Sequence, residues 1–197
     1  FRHVQILEDL DFRDIKISVK STDVKKIIAS YRILAERCDY PLHLGVTEAG
    51  TYEMGTIKSS IGIGTLLAEG IGDTIRVSLT GDPVDEIAVG FNILRSLGLR
   101  RNGIELISCP GCGRLEIDLM KLVKDVEDRI ANIELPRPIK VAILGCVVNG
   151  PGEASEADIG IAGGRGKGML YKDGKLVRSF KENQIVDELV KELETFV

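Results

Sequence analysis

Apolar positions along this chain follow two periods that alternate. Lys16-Ile17-Ser18-Val19-Lys20, Leu42-His43-Leu44-Gly45-Val46-Thr47 and Ile75-Arg76-Val77-Ser78-Leu79 each repeat every second residue, the period of a strand. Each is followed by residues at helical spacing: Val24, Ile27, Ile28, Tyr31 and Leu34; then Ile61, Thr65, Leu66, Ala68 and Glu69; then Val84, Ile87, Phe91 and Leu94. These are βα units. Asp23 supplies an N-cap for the first helix, and Asp82 followed by Pro83 supplies one for the third. Ahead of the first unit, Val4, Leu7 and Leu10 fall at helical spacing, so the chain is expected to begin within a fold.

The strands predict a particular kind of sheet. Side chains alternate across a strand, which puts Lys16, Ser18, Lys20, His43, Gly45, Thr47, Arg76, Ser78 and Thr80 on one face and Ile15, Ile17, Val19, Leu42, Leu44, Val46, Ile75, Val77 and Leu79 on the other. A doubly wound sheet needs apolar residues on both faces, whereas a barrel near its mouth tolerates a polar inner face. The expected fold class is therefore α/β, with the C-terminal βα units of a TIM-type barrel. A full barrel takes about 250 residues. Three units make only part of one, and an open barrel would expose apolar surface and tend to associate.

The pattern changes near Gly98-Leu99-Arg100-Arg101-Asn102-Gly103, which places the last barrel units in residues 1–100 and a smaller α/β domain in 101–197. There Ile104 to Ser108 and Ile139 to Gly145 read as buried strands separated by a helical period at Leu119, Leu122, Val126, Ile130 and Ile133. Strand, helix and strand imply parallel pairing, so both strands end on the same edge. A run Asp158 to Ala162, a hairpin Met169 to Val177 turning at Asp173-Gly174, and a final helix with Ile185, Leu189, Leu193 and Phe196 complete this part.

A net charge of −4 and a pI near 5.4 argue against nonspecific binding to nucleic acid or to a membrane surface. No apolar run reaches the roughly 20 residues that span a bilayer, and no export signal opens the chain, so a cytoplasmic location is expected. Four cysteines are too few for a disulfide scaffold in 197 residues. Cys38 has no cysteine neighbour and reads as a packed thiol.

The other three cysteines carry the chemistry. Cys109-Pro110-Gly111-Cys112 and Cys146 each follow a strand, at the carboxyl edge where open α/β sheets bind their ligands. Pro110-Gly111 suits a type II turn that holds both sulfurs toward one site. Zinc normally takes four Cys or His ligands, and the only histidines, His3 and His43, lie in the other domain. An iron-sulfur cluster on three thiolates leaves an iron open, and Glu153, seven residues after Cys146 across an Asn149-Gly150-Pro151-Gly152 turn, can fold back as a weak and exchangeable fourth ligand. Zinc, a redox dithiol and inert packing stay open as alternatives. Lys20 and Arg76, with Thr47 and Ser78, form a cationic, hydroxyl-lined patch suited to a diphosphate, and Glu48 beyond its strand end can act as a general acid or base. Salt-bridged filling of the barrel interior is the plainer reading of the same residues. Gly163-Gly164-Arg165-Gly166-Lys167-Gly168 lacks the Ser or Thr and the helix of a phosphate loop and is expected to be a flexible connection.

Ser108-Cys109-Pro110-Gly111-Cys112-Gly113-Arg114 and, above all, Leu144-Gly145-Cys146-Val147-Val148-Asn149-Gly150-Pro151-Gly152-Glu153-Ala154 resemble the 4-hydroxy-3-methylbut-2-enyl diphosphate synthase family. His43 to Gly50, Lys58 to Gly64 and Gly70 to Leu79 extend the resemblance over essentially all 197 residues, matching the last part of the family's barrel and its whole cluster domain. The resemblance implies that Cys109, Cys112, Cys146 and Glu153 hold a 4Fe-4S cluster. It further implies that Lys20, Arg76 and Ser78 grip a cyclic diphosphate, that Glu48 stands near the reacting carbons and that Asn149 reaches substrate from the cluster side. It implies reductive opening of 2-C-methyl-D-erythritol 2,4-cyclodiphosphate, flavodoxin or ferredoxin as electron donor, and a homodimer. These residues without the rest of the barrel are expected to have little activity.

Overall fold

The computed structural model describes residues 1–100, 103–131, 133 and 135–196. The chain divides into two compact α/β units, Phe1–Arg100 and Arg101–Val197. Arg101 and Asn102 of the expected linker lie outside the described residues.

In the first unit, helix α1 (Arg2–Asp9) buries none of its side chains, and Leu10 and Phe12 after it are exposed. Helix α2 (Val24–Ala35) is capped by the Asp23 carboxylate, which accepts from Lys26 N–H, and packs Ile27, Tyr31 and Leu34 inward. Strand β1 (His43–Gly45) pairs in parallel with β2 (Thr74–Arg76), His43 lying opposite Thr74 and Gly45 opposite Arg76. Helix α3 (Tyr52–Ala68) separates them, and α4 (Pro83–Ser96) follows, its Asp82 cap accepting from Val84 N–H. Leu42, Leu44, Val46 and Val77 share one core with Ile63, Leu66, Val89 and Ile93 of the helices.

The first expected strand is reduced. Within Lys16–Lys20 a single parallel bridge, Ile17 to Leu42, is all that forms, and Val19 is exposed. Tyr31 replaces the missing ladder: its buried hydroxyl donates to the His43 carbonyl and accepts from Val19 N–H at 3.0 Å. The regular parts of the other two strands are also shorter than their alternation suggests. Pairing continues past them through Thr47 N–H to the Ser21 carbonyl and Thr80 N–H to the Gly50 carbonyl. Helix α3 starts nine residues before Ile61, where the helical pattern was first legible. Its outward side also carries apolar residues, Ile57 and Ile61, so the contrast between faces that marks a surface helix is missing.

The second unit is a five-stranded sheet in sequence order, β3 (Ile104–Ser108), β4 (Ile139–Leu144), β5 (Ile159–Gly164), β6 (Lys167–Lys172) and β7 (Lys175–Lys181). The first three are parallel and the last two antiparallel. Helices α5 (Leu119–Ile130) and α7 (Ile185–Glu194) cover one face, where Val126, Val141, Ile143, Ile161, Leu170 and Leu189 are fully buried. Ile133, expected at the end of α5, lies beyond it and packs on the core from a loop. Both hairpins turn through two residues at positive φ, Arg165-Gly166 and Asp173-Gly174, the primed turns that match strand twist. The expected flexible connection at Gly163–Gly168 is therefore a tight turn flanked by paired strands.

On the other face sits α6 (Gly150–Ala154), a single helical turn in the stretch that reads as a plain Gly-Pro-Gly turn. It fits because β5 is small there: a Cβ at Gly160 would lie 2.2 Å from the Ala154 carbonyl oxygen. Gly160→Ala must push α6 off the sheet, at a cost of about 1–3 kcal/mol. Urea unfolding should show that loss, and the same change at exposed Gly152, which has open space around it, should not.

Candidate metal centre and anion site

Pairing of β3 with β4 sets Ser108 opposite Ile143, so the chain leaves both strands at the same edge. Cys109 follows directly on β3, and Cys146 follows β4 by one residue beyond Gly145. Cys109 N–H still donates to the Ile143 carbonyl, and Glu116 N–H, just past the CxxC loop, donates to the Gly145 carbonyl at 3.0 Å. Two loops far apart in sequence are thus bonded to one another. Gly111 takes φ 75° after Pro110, the geometry of a type II turn.

The result is a cleft of about 580 Å³ on the face carrying α6, lined by Cys109, Cys112, Cys146, Asn149, Glu153 and Glu156. Glu153 reaches it from α6, its N–H bonded to the Asn149 carbonyl. All four cysteines of the chain are free, with Cys112 exposed and Cys109 and Cys146 half-buried. The Cys146 thiol is held below the ordinary thiol range by the backbone N–H groups of Asn149 and Val148, assisted by Gly150 and the Arg114 charge against the opposing effect of burial. Arg114 also reaches Asn149 Oδ1 at 3.5 Å. Arg114 and Lys140, a further lining residue, were not among the site residues expected from sequence, although Arg114 lies inside the first cysteine motif.

The donors are spaced more widely than a single bound ion requires. Zinc at about 2.3 Å from each sulfur requires thiolates within about 4 Å of one another. Among the described residues no three Cys, His, Asp or Glu side chains converge closely enough for a single ion. Three thiols and the carboxylates of Glu153 and Glu156 spread around an open cleft with room for a group larger than one ion. Cys38 stands apart, its Sγ donating to the Leu34 carbonyl at 3.3 Å.

The first unit gathers the cations. Lys20 is depressed from its ordinary pKa by desolvation and by Arg76. His43 is depressed by burial first and then by Lys20, Lys16 and Arg76, while its Nδ1 lies 2.7 Å from Thr74 Oγ1. These groups repel one another unless an anion arrives between them. Thr47 Oγ1 is buried with no partner among the described residues, and Ser78 is half-buried. Glu48 is exposed and held at φ 51°, a conformation L-residues avoid and one that recurs at functional sites.

The GcpE TIM-barrel domain matches residues 1–91, and the GcpE protein C-terminal domain matches residues 105–195. The chain belongs to the GcpE family. It is 62% identical over 193 residues to a 4-hydroxy-3-methylbut-2-en-1-yl diphosphate synthase (flavodoxin) of Clostridium perfringens, covering 98% of this chain and 55% of that protein. Proteins of the same name from Geobacter sulfurreducens and Caldanaerobacter subterraneus subsp. tengcongensis are 59% identical over 192 residues and 58% identical over 196, covering 98% and 100% of this chain and 54% and 55% of theirs. The chain spans about half the length of the curated relatives it matches. Among the described residues no helix is long and apolar enough to cross a membrane.

His43 provides a pH test of the cation cluster. Its folded pKa lies below the ordinary value of 6.5, so the unfolded chain binds the extra proton more readily. Its contribution to stability is complete above pH 6.5 and is lost as pH falls from there through the folded pKa. Urea unfolding between pH 7.5 and 5.5, against His43→Gln, should show that slope in the parent (on the order of two pH units scanned) and a smaller one in the variant.

Proposed function

We propose that this chain carries the cluster domain and the last barrel units of an iron-sulfur oxidoreductase that opens 2-C-methyl-D-erythritol 2,4-cyclodiphosphate reductively and dehydrates it to 4-hydroxy-3-methylbut-2-enyl diphosphate. The observation that carries this reading is the meeting of three thiols and the Glu153 carboxylate on a single cleft in a member of the GcpE family. Two electrons and two protons enter, the ring carbon–oxygen bond to phosphate breaks, and one water leaves. Cys109, Cys112, Cys146 and Glu153 would hold a 4Fe-4S cluster, which supplies electrons one at a time together with a Lewis-acidic iron.

The chain's own residues supply position and charge. Arg76 presents a planar fork and Lys20 a mobile point charge to the diphosphate, with the Thr47 and Ser78 hydroxyls as donors. Lys20 and His43 are depressed first by burial and then by their cationic neighbours, and a bound anion would offset the second of these. Glu48, exposed and at positive φ, would move a proton at the reacting carbons. Asn149, steadied by Arg114, contacts substrate from the cluster side. We place the reaction in a cytoplasmic homodimer in which the cluster domain of one chain serves the barrel of the other, with a flavodoxin or ferredoxin as donor.

The deciding measurement is the colour, iron and sulfide of anaerobically purified protein. Brown protein with both elements bound, and loss of both in Cys146→Ser, is the expected result. Colourless protein with stoichiometric zinc would make this a metal-stabilised module that binds a phosphorylated metabolite without turnover. A reversible Cys109–Cys112 disulfide with activity surviving Glu153→Ala would make it a thiol oxidoreductase. In a chain extended to the length of its relatives, Glu48→Gln should lower kcat by about 10²–10⁴ with KM little changed. Arg76→Ala should chiefly raise KM.

A further inference from the structure

The sheet face that carries α6 over β4 and β5 continues over β6 and β7. Strand alternation from Gly160 and Gly164, whose missing Cβ positions face α6 and the Cys146 loop, sends Lys167, Met169, Ser179 and Lys181 to this face. Lys167 stands directly opposite Lys181, and like charges in that register destabilise a sheet. Among the described residues neither takes part in an ion pair, whereas Lys172 and Arg178, on the opposite face of the same strands, are paired with Glu192 and Glu188 of α7. Arg165 at the adjoining turn has a side chain 88% exposed and reaches Glu116 at 3.6 Å.

Val147, Gly164, Arg165, Lys167, Met169 and Ser179 line a groove of about 450 Å³ here. Val147 and Val148 are exposed beside it. Among the described residues the nearby acids leave the two lysines unpaired: Glu116 reaches only Arg165, and Glu182 lines a different groove with Asp118 and Asp125. The patch is also joined to both cysteine loops. A Cβ on Gly164 would fall 2.2 Å from Val147 Cγ1, the residue after Cys146, and 2.8 Å from the carboxylate of Glu116, four residues after Cys112.

We infer that this face is the docking surface for an acidic one-electron carrier protein of the flavodoxin class. The inference rests on the iron-sulfur reading of the neighbouring cleft. Cations left unpaired and set against each other are stabilised when a negative surface arrives, and the aliphatic residues among them give the contact an apolar centre. Three exposed cations around Met169 and Val147 rim an open groove, suited to a protein surface rather than closed around a small anion. On each encounter the carrier loses one electron and the cluster gains it; no covalent bond forms or breaks. Small, charge-steered contacts are the usual form of such electron-transfer encounters.

The test is the double variant Lys167→Glu/Lys181→Glu, compared with Lys121→Glu/Lys124→Glu, which makes the same charge change on α5. Affinity for an acidic flavodoxin, measured by calorimetry over a salt series on both the iron-free and the anaerobically reconstituted chain, should fall at least about tenfold in the first variant and lose its steep salt dependence. The α5 variant should bind as the parent does. Stopped-flow reduction of the reconstituted cluster by reduced flavodoxin should slow in parallel, with iron content and reduction by dithionite unchanged. Equal affinity in both variants overturns the inference. So does a first variant that alters only self-association of the chain, or parental flavodoxin binding that inorganic pyrophosphate abolishes at this face. Failure of the chain to take up iron would instead overturn the functional reading, while binding to the iron-free chain would still report on the surface.

Discussion

Everything proposed for the second unit depends on the parallel register of β3 and β4. Because Ser108 lies opposite Ile143, the CxxC loop and the Cys146 loop leave the sheet side by side, and Glu116 N–H can tie one to the other through the Gly145 carbonyl. A register slip of one residue would turn each strand's apolar set to the opposite face and separate the loops. The burial of Val141, Ile143, Ile159 and Ile161 under α5 and α7 is what prevents it.

Side-chain size on the second face does the remaining work. Gly160 lets α6 lie directly on β5 and carry Glu153 to the cleft. Gly164 lets the Cys146 loop cross the end of the same strand. The same strands thus present a dense aliphatic surface to the helices and a nearly bare one to the loops that hold the chemistry. In the first unit the division is of another kind: aliphatic residues lie under the helices, and Arg76 lies close enough to Lys20 and His43 to help depress both.

Much of this was legible along the chain. The cysteine motifs, the caps at Asp23 and Asp82, the parallel β3–β4 pair and the Asp173-Gly174 hairpin rest on local rules, namely capping, period and turn chemistry, which operate over a few residues. What was misread depends on distant partners. Lys16–Lys20 alternates like a strand but gains one bridge and a tyrosine hydroxyl in place of a ladder. The first part of α3 was hidden because it buries Gly55 and Ser59 while Met54 and Ile57 are exposed, and α6 because Gly-Pro-Gly reads as a turn until Gly160 offers it a seat.

The sequence by itself determined the residue types and their spacing: three thiols and an acid within two short motifs, and polar or small residues on alternate positions of three strands. Those are covalent facts that hold in any conformation. Only the tertiary structure decided that Glu153 shares a cleft with all three thiols, that Arg114 and Lys140 line or border it, and that Lys167 faces Lys181 beside the cysteine loops. Such distances are set by sheet register and by which side chains are small enough to let backbone approach backbone, and neither can be read until the strands have chosen their partners.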